Sequence, residues 1–306
     1  MKAEILQILR SEGGPVSGES IGRSLGVSRV SVWKHIQKLR ELGYAIASEA
    51  GGYRLLESPD ALYPWEFPGR EDRVHHAARV SSTMEVAREL ARGGCDHLTL
   101  VVAEEQTQGR GRLKRVWQSA PGGLYFTMVL RPEIAPLEMF RLNFAASLSL
   151  AEALERQYGL NAGLKWPNDV LVDGAKISGM LSEMEAEADT VRYVNVGMGV
   201  NVNNDPGAAV GNATSVSRLL GRTVPRRELL TAFLDRFESR LSAGLASVVD
   251  EWRRRTVTLQ RPVRIVTLRE SLEGTAVDVD ENGALLLRLP DGGQTRVIYG
   301  DCFHQG

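Results

Sequence analysis

Cysteine is scarce in this chain of 306 residues: only Cys95 and Cys302 occur, with neither a C-x-x-C pair nor a Cys/His spacing around them. A disulfide framework and a thiolate zinc site are therefore not expected. No apolar run approaches the roughly 18 residues of a membrane span, and the first residues alternate charge with short apolar stretches instead of forming a secretion signal. A cytoplasmic protein with no membrane partner is the expectation. Net charge is only −1, so nucleic-acid binding would need a local basic face. No G-x-x-x-x-G-K-[S/T] is present, which removes the P-loop, and Gly197-Met198-Gly199 lacks the third glycine of a dinucleotide fingerprint, Val202 standing there. Asp278 to Gly283 opens like a calcium loop, yet Leu289 holds the place of the bidentate glutamate. The Asn212-Ala213-Thr214 sequon has no meaning outside the secretory path. What is present, 43% hydrophobic and 25% charged residues, is an ordinary globular composition, long enough for two or three domains.

The N-terminal segment reads as helices. Ile5, Leu6, Ile8 and Leu9 follow helical spacing from Lys2 to Glu12, and Gly13-Gly14 stops the run. Ser17 can cap a second helix through Leu25, Gly26 suits a tight turn, and Ser28 can cap a third to about Leu42. On that third helix Val32, Ile36 and Leu39 share one face and leave Val30, Ser31, Lys34 and Lys38 on the other. From Ser20 to Arg40 there are five basic residues, Arg23, Arg29, Lys34, Lys38 and Arg40, and no acid. Tyr44 to Ala47, a turn at Gly51-Gly52 and Tyr53 to Leu55 form a small hairpin, or wing, from which Arg54 could touch phosphate. The candidate DNA contacts are Ser28, Arg29, Val30, Ser31, Lys34, Lys38 and Arg54. A three-helix packing module with a solvated basic face would share these features.

Ser58 to Gly69 holds three prolines and no periodicity and reads as a linker. Beyond it, from about Val74, strand-like runs (Leu98 to Ala103, Leu124 to Leu130, Val191 to Val196) alternate with helices such as Leu137 to Tyr158, the pattern of an α/β or α+β sheet domain. After the helical stretch Arg226 to Ala243 and the polar Trp252 to Arg255 come short strands, Val263 to Leu268, Glu273 to Val279, Ala284 to Leu289 and Thr295 to Tyr299. These suggest a small barrel of SH3 type.

Two motifs carry chemistry. Gln106-Thr107-Gln108-Gly109-Arg110-Gly111-Arg112 puts two guanidinium forks on a glycine-bearing loop, with Arg115 and Trp117 beyond. Such forks hold phosphate or carboxylate bidentately, and an indole face can stack on a purine or cover an apolar ligand. Lys165-Trp166-Pro167-Asn168-Asp169 with Lys176 and Gly179 adds cation, amide and carboxylate. A lysine beside an arginine-bearing loop is repelled unless an anion lies between them. Taken singly, Trp117 is equally a core residue and Lys176 a solvated surface group.

With these residues in hand, the chain resembles the bifunctional biotin protein ligase and biotin operon repressor family over all three segments. The resemblance rests on the Gly26 to Arg40 helix, Ser82-Thr83, Gln106 with Gly-Arg-Gly-Arg, Lys-Trp-Pro-Asn-Asp with Lys176 and Gly179, and Gly197-Met198-Gly199-Val200-Asn201. It implies an α+β protein with a winged helix-turn-helix (1–62), a central mixed-sheet domain of the biotin/lipoate ligase type (70–256) and an SH3-like β-barrel (257–306). It also implies synthesis of biotinyl-5′-AMP from biotin and ATP with Mg²⁺, and transfer of biotin to a lysine of the biotin carboxyl carrier protein of acetyl-CoA carboxylase. The adenylate would act as corepressor, with a ligand-bound homodimer on operator DNA. By the same resemblance Ser82, Thr83, Met84, Gln106, Gly109, Arg110, Gly111, Arg112, Lys176 and Gly179 surround biotin, while Arg110, Arg112, Arg115, Trp117, Asn168, Lys176 and Asn201 meet the adenylate. Lys176, Arg112 and Asp169 would be catalytic, Asp169 as proton acceptor or ammonium orienter unless it only caps the turn. Met84 and Glu85 depart from the Asn and Gln often found there, and Gln305 replaces an arginine associated with nucleotide binding. A lipoate-type ligase and a ligand-sensing transcription factor without turnover are the competing readings.

Overall fold

The computed structural model describes residues 1–187, 190–207, 211–267 and 269–305. The chain divides into two compact units, Met1–Asp72 and Arg73–Gly306.

The first unit contains helices α1 (Lys2–Ser11), α2 (Gly18–Leu25) and α3 (Arg29–Glu41), followed by strands β1 (Ala45–Glu49) and β2 (Gly52–Glu57). The Ser17 and Ser28 hydroxyls accept from the backbone N–H groups of Ser20 at 3.0 Å and Ser31 at 3.1 Å, which satisfies donors that a helix start leaves free. Gly26, at φ +66°, turns α2 into α3. The helical periodicity becomes one core of Ile5, Leu6, Leu9, Ile21, Val32, Ile36 and Leu39, closed by Tyr44 and Ile46. β1 and β2 pair antiparallel as the wing.

The expectation of a plain linker from Ser58 to Gly69 needs correcting. A 3₁₀ turn, Pro64–Glu66, lies within it, and Glu66 is buried. Its carboxylate accepts from Arg10 Nη2 at 2.9 and 3.0 Å and from the Tyr44 hydroxyl, while Trp65 Nε1 donates to Tyr44 Oη at 2.9 Å. A buried carboxylate is tolerable only when paired, and these partners lie more than twenty residues away. Local periodicity carries no trace of such pairing.

The second unit is built on a seven-stranded mixed sheet. Its strands are β3 (Val74–Val80), β4 (Thr99–Gln106), β5 (Leu124–Leu130), β6 (Ala162–Lys165), β7 (Asp169–Val172), β8 (Ala175–Glu187) and β9 (Thr190–Val200). Their order is β3-β4-β5-β9-β8-β7-β6. Only β3 and β4 run parallel, joined through helix α4 (Thr83–Arg92); the remaining pairs are antiparallel. The expected helix from Leu137 begins at Met139, as α5 (Met139–Tyr158), because Pro136–Glu138 forms a 3₁₀ turn before it. Helix α6 (Val216–Leu220) precedes α7 (Arg226–Ala243) and α8 (Val248–Arg255). The polar-looking tail around Trp252 thus belongs to a helix: Trp252 is buried and stacks on Phe144 with ring centroids 4.4 Å apart.

The C-terminal SH3-like part comprises β10 (Arg261–Val266), β11 (Ser271–Val279), β12 (Leu285–Arg288), β13 (Gln294–Val297) and β14 (Asp301–His304), ordered β13-β12-β11-β10-β14. The first expected strand ends at Val266, and Leu268 lies outside the described residues. β14 was not anticipated, being four residues long with no clear alternation, and it pairs with β10. Among the described residues, no helix is long and apolar enough to cross a membrane.

Candidate functional site

Both motifs open onto one cavity of about 550 Å³ at the ends of β4, β7, β8 and β9. This is the size range of small-molecule sites.

One end is uncharged. Ser82 caps α4, its hydroxyl accepting from Met84 N at 3.3 Å. Gln106 Oε1 accepts from Thr83 N at 2.8 Å and Thr83 Oγ1 at 3.1 Å, and Gln106 Nε2 donates to Ser119 Oγ at 2.9 Å. Thr83 Oγ1 also meets Thr127 Oγ1 at 2.9 Å. Thr127 was not anticipated, although the one aliphatic hydroxyl in the largely apolar Leu124 to Leu130 run was a usable signal. Ser82, Thr83, Met84, Gln106 and Thr127 all line the cavity. Their hydroxyl and amide groups suit an uncharged polar ring such as a urea.

The loop after β4 folds back on itself. Trp117 N donates to Gly109 O at 2.9 Å and Gly111 N to Arg115 O at 2.8 Å. Gly109 is required there: a Cβ would lie 2.3 Å from Trp117 O. For the same reason Gly109 shapes the loop from behind and is not part of the cavity wall, whereas Arg110, Gly111, Arg112, Arg115 and Trp117 are. The Trp117 indole lies across the sheet at two glycines, since a Cβ on Gly199 would fall 2.3 Å from its ring and one on Gly179 would fall 3.0 Å away. Gly197-Met198-Gly199 therefore serves as a bare patch of sheet, with Met84 over Gly197.

Arg110 turns to the α4 side, pairing with Glu183 at 3.1 Å, and Glu183 also holds Arg88 of α4. Charge gathers at the other end. Arg112 Nη1 donates to Asn168 Oδ1 at 3.3 Å and to Gly300 O at 3.2 Å. Burial pulls the Arg112 guanidinium below its ordinary value, and the nearby Asp301 and Asp169 oppose that shift; an arginine stays charged regardless. Arg115 pairs with Asp301 Oδ2 at 2.5 Å and Lys176 Nζ with Asp169 Oδ1 at 2.6 Å. The Lys176 ammonium also sits 5.5 Å from the Trp117 ring centre. Among the described residues, five basic side chains, Arg110, Arg112, Arg115, Lys165 and Lys176, line the cavity against two acids, Asp169 and Asp301. That excess is poised for a polyanion.

Asn201, like Gly109, is an expected residue that does not line the cavity. β9 ends at Val200, and the Asn201 carboxamide turns inward to accept from Asn204 Nδ2 at 3.0 Å. Gln305 likewise lies elsewhere, its side chain donating to Glu273 at 3.2 Å. Residues missed in the motifs come from β14: Asp301, Cys302, Phe303 and His304 all reach the cavity. Burial raises the Cys302 thiol to about 12, which disfavours its thiolate form at neutral pH. Burial, with Lys165 and Arg261 nearby, lowers His304 to about 4, and its Nε2 lies 3.3 Å from Thr258 Oγ1. A histidine held neutral destabilises the fold as pH falls from its unfolded value near 6.5 towards 4, because the unfolded chain binds the extra proton. Thermal unfolding of a His304→Gln variant should thus lose less stability between pH 6.5 and 4.5 than the parent; equal slopes would contradict the assignment.

Among the described residues no group of three or more His, Cys, Asp or Glu is arranged to hold a metal. A divalent ion accompanying a nucleotide would find carboxylate in the cavity from Asp169, the rest of its shell coming from phosphate and water. That donor set fits Mg²⁺.

Residues 76–201 match the biotin/lipoate A/B protein ligase family, residues 2–54 an HTH domain and residues 258–305 the biotin protein ligase C-terminal domain. The chain is 34% identical to the bifunctional ligase/repressor BirA of Bacillus subtilis over 95% of each chain. It is 30% identical to that of Escherichia coli, over 89% of this chain and 87% of the other. The biotin protein ligase of Aquifex aeolicus, solved with biotin and ATP, superposes with a TM-score of 0.64 at 29% identity, covering 76% of this chain and 98% of that one.

Proposed function

The chain belongs to the biotin protein ligase family, in its bifunctional ligase/repressor form, and from that premise we propose how its residues divide the work. The protein is a biotin–[acetyl-CoA-carboxylase] ligase that uses ATP and biotin, and a biotin-responsive repressor whose partners are the carrier protein and operator DNA. One observation carries the reading of the site: Arg112 and Lys176, from separate segments, line the same cavity.

Ser82, Thr83, Gln106 and Thr127 receive the ureido ring, and Trp117, the expected adenylate contact, also covers the apolar body of the vitamin. The adenylate lies towards Arg110, Arg112, Arg115, Asn168 and Lys176. In adenylation a biotin carboxylate oxygen attacks the α-phosphorus, and the bond to pyrophosphate breaks. Two anions must approach, and Arg112 with Lys176 offsets the charge that grows on the phosphoryl oxygens. Asp169 would help hold a Mg²⁺ ion brought by the nucleotide, which would supply further positive charge to the phosphates. In transfer the amine of the acceptor lysine attacks the acyl carbon and AMP leaves. Asp169, already bonded to an ammonium at 2.6 Å in the form of Lys176, is placed to orient the incoming amine or accept its proton.

Pyrophosphate release decides the substrate. Incubated with ATP and Mg²⁺, the protein is expected to release pyrophosphate with biotin and not with lipoate. Release with lipoate alone points to a lipoate-type ligase, and none with either to a sensor without turnover.

The repressor activity resides in the winged helix, where Arg29, Lys34 and Lys38 are exposed on α3. A Lys34→Ala variant should bind operator several-fold more weakly, with a reduced salt slope, while ligase turnover is unchanged. Equal loss of both would contradict the division between units. Bound adenylate orders residues 109–117, two copies pair, and each reads one half-site. Sedimentation with biotin and ATP present should show a dimer.

A further inference from the structure

Helix α3 buries Val32, Ile36 and Leu39 yet leaves two large apolar side chains in water: Val30 is 62% exposed and Trp33 50% exposed. At 100° per residue, Val30, Trp33, Lys34 and Gln37 share the side facing away from the core. Scattered exposed apolar residues are ordinary, but this indole is held in place. With the Gln37 amide in the orientation that satisfies both its ends, its oxygen accepts from Trp33 Nε1 at 3.1 Å and from Arg40 Nη1 at 3.1 Å. Arg40 in turn donates to Ile46 O at 2.9 Å and Ser48 Oγ at 2.8 Å. The indole is thus tied through Gln37 and Arg40 to β1 of the wing, and its apolar face is presented with little ordering left to do on binding.

The charge around it selects the partner. Arg29, Lys34 and Lys38 are exposed on the same helix, and no acid lies between Ser20 and Arg40. A protein partner's apolar patch would be approached across that positive field, whereas duplex DNA is drawn to it. Within the major groove the one apolar group on the base edges is the thymine methyl.

We propose that Trp33, with Val30, reads thymine methyl groups in the major groove and so determines sequence specificity beyond the basic residues of the helix. This rests on the repressor function above. Phosphate contacts by lysine and arginine set position without reading sequence, while removing one methyl from an apolar contact changes affinity about fourfold.

The test uses the full-length protein with biotin and ATP. Duplexes are selected from a random pool, and each thymine of the selected site is replaced in turn by uracil, which deletes only the methyl. The expected result is a position in each half-site where uracil weakens binding about fourfold, with the difference kept by Trp33→Phe and lost in Trp33→Gln. Val30→Ala should reduce it. Two outcomes overturn the inference while leaving the repressor intact: a parent protein indifferent to uracil at every position, which would place the indole on sugar or in solvent, or a folded Trp33→Gln variant that still discriminates. Failure of the parent to select any duplex would sink the repressor reading as well.

Discussion

Lys176→Ala should lower the rate of biotin adenylation by about 10²- to 10³-fold, the loss typical when one preorganised donor to a developing anion is removed. The argument is electrostatic. Among the described residues the cavity holds five basic side chains against two acids. Arg110 is committed to Glu183 and Arg115 to Asp301 by ion pairs of 3.1 and 2.5 Å. Arg112 is held by Asn168 and the Gly300 carbonyl, and among the described residues it has no direct ion pair, although the Asp169 and Asp301 carboxylates lie nearby. Lys165 and Lys176 supply the further charges, and Lys176 carries its own on a flexible stem whose present partner, Asp169, a bound phosphate can displace or share. Removing the ammonium also strands the Asp169 carboxylate in a partly buried site, which adds repulsion towards the nucleotide. The loss should appear in pyrophosphate release at saturating biotin and ATP. Transfer from chemically prepared biotinyl-5′-AMP should suffer less, since that step develops less charge on phosphate. A variant that adenylates within fivefold of the parent would show that Lys176 is only the structural partner of Asp169.

Gly199→Ala is expected to weaken biotin binding at least tenfold, for a steric reason. The added methyl carbon would sit 2.3 Å from the Trp117 indole, well inside contact distance, and the neighbour is a rigid ring. The ring must then leave the sheet, and the wall it provides leaves with it. Several contacts also hold the loop bearing Trp117: Gly109 O accepts from Trp117 N at 2.9 Å, and Arg112 and Arg115 tie it to Gly300 and Asp301. The disturbance should therefore reach the phosphate side too. A double-mutant cycle tests the cause, because if the clash acts through the indole, Trp117→Ala with Gly199→Ala binds biotin no worse than Trp117→Ala alone. Additive losses, measured by calorimetry on variants with unchanged melting temperatures, would place the effect in the sheet itself.

Much of this protein is legible in its sequence. Helix caps at Ser17 and Ser28 and the 3.6-residue spacing of Ile5, Leu6, Leu9, Val32, Ile36 and Leu39 are local signals, and local hydrogen bonds and burial enforce them. The two cationic motifs were legible because arginine forks next to glycine are a costly arrangement without an anion to receive. Harder to see were contributions made by pairing across long separations. Thr127 belongs to the site because β5 lies beside β9 and beneath α4. Asp301 to His304 belong because a four-residue strand brings the C-terminal part of the chain onto the arginine loop. The placement of Asn201 was illegible for the opposite reason: it follows the glycines directly in sequence, but the strand ends and its side chain accepts from Asn204, off the cavity wall.

The sequence by itself determined the winged helix, the chemical class of the ligand and the kind of residue that would bind it, since each depends on neighbours within a turn of helix or a few residues of loop. Only the tertiary structure decided which charges are already paired, which glycines are bare so that an indole can lie on the sheet, and that Arg112 and Lys176 face one cavity. These are distances between segments far apart along the chain, and the packing of the sheet sets them.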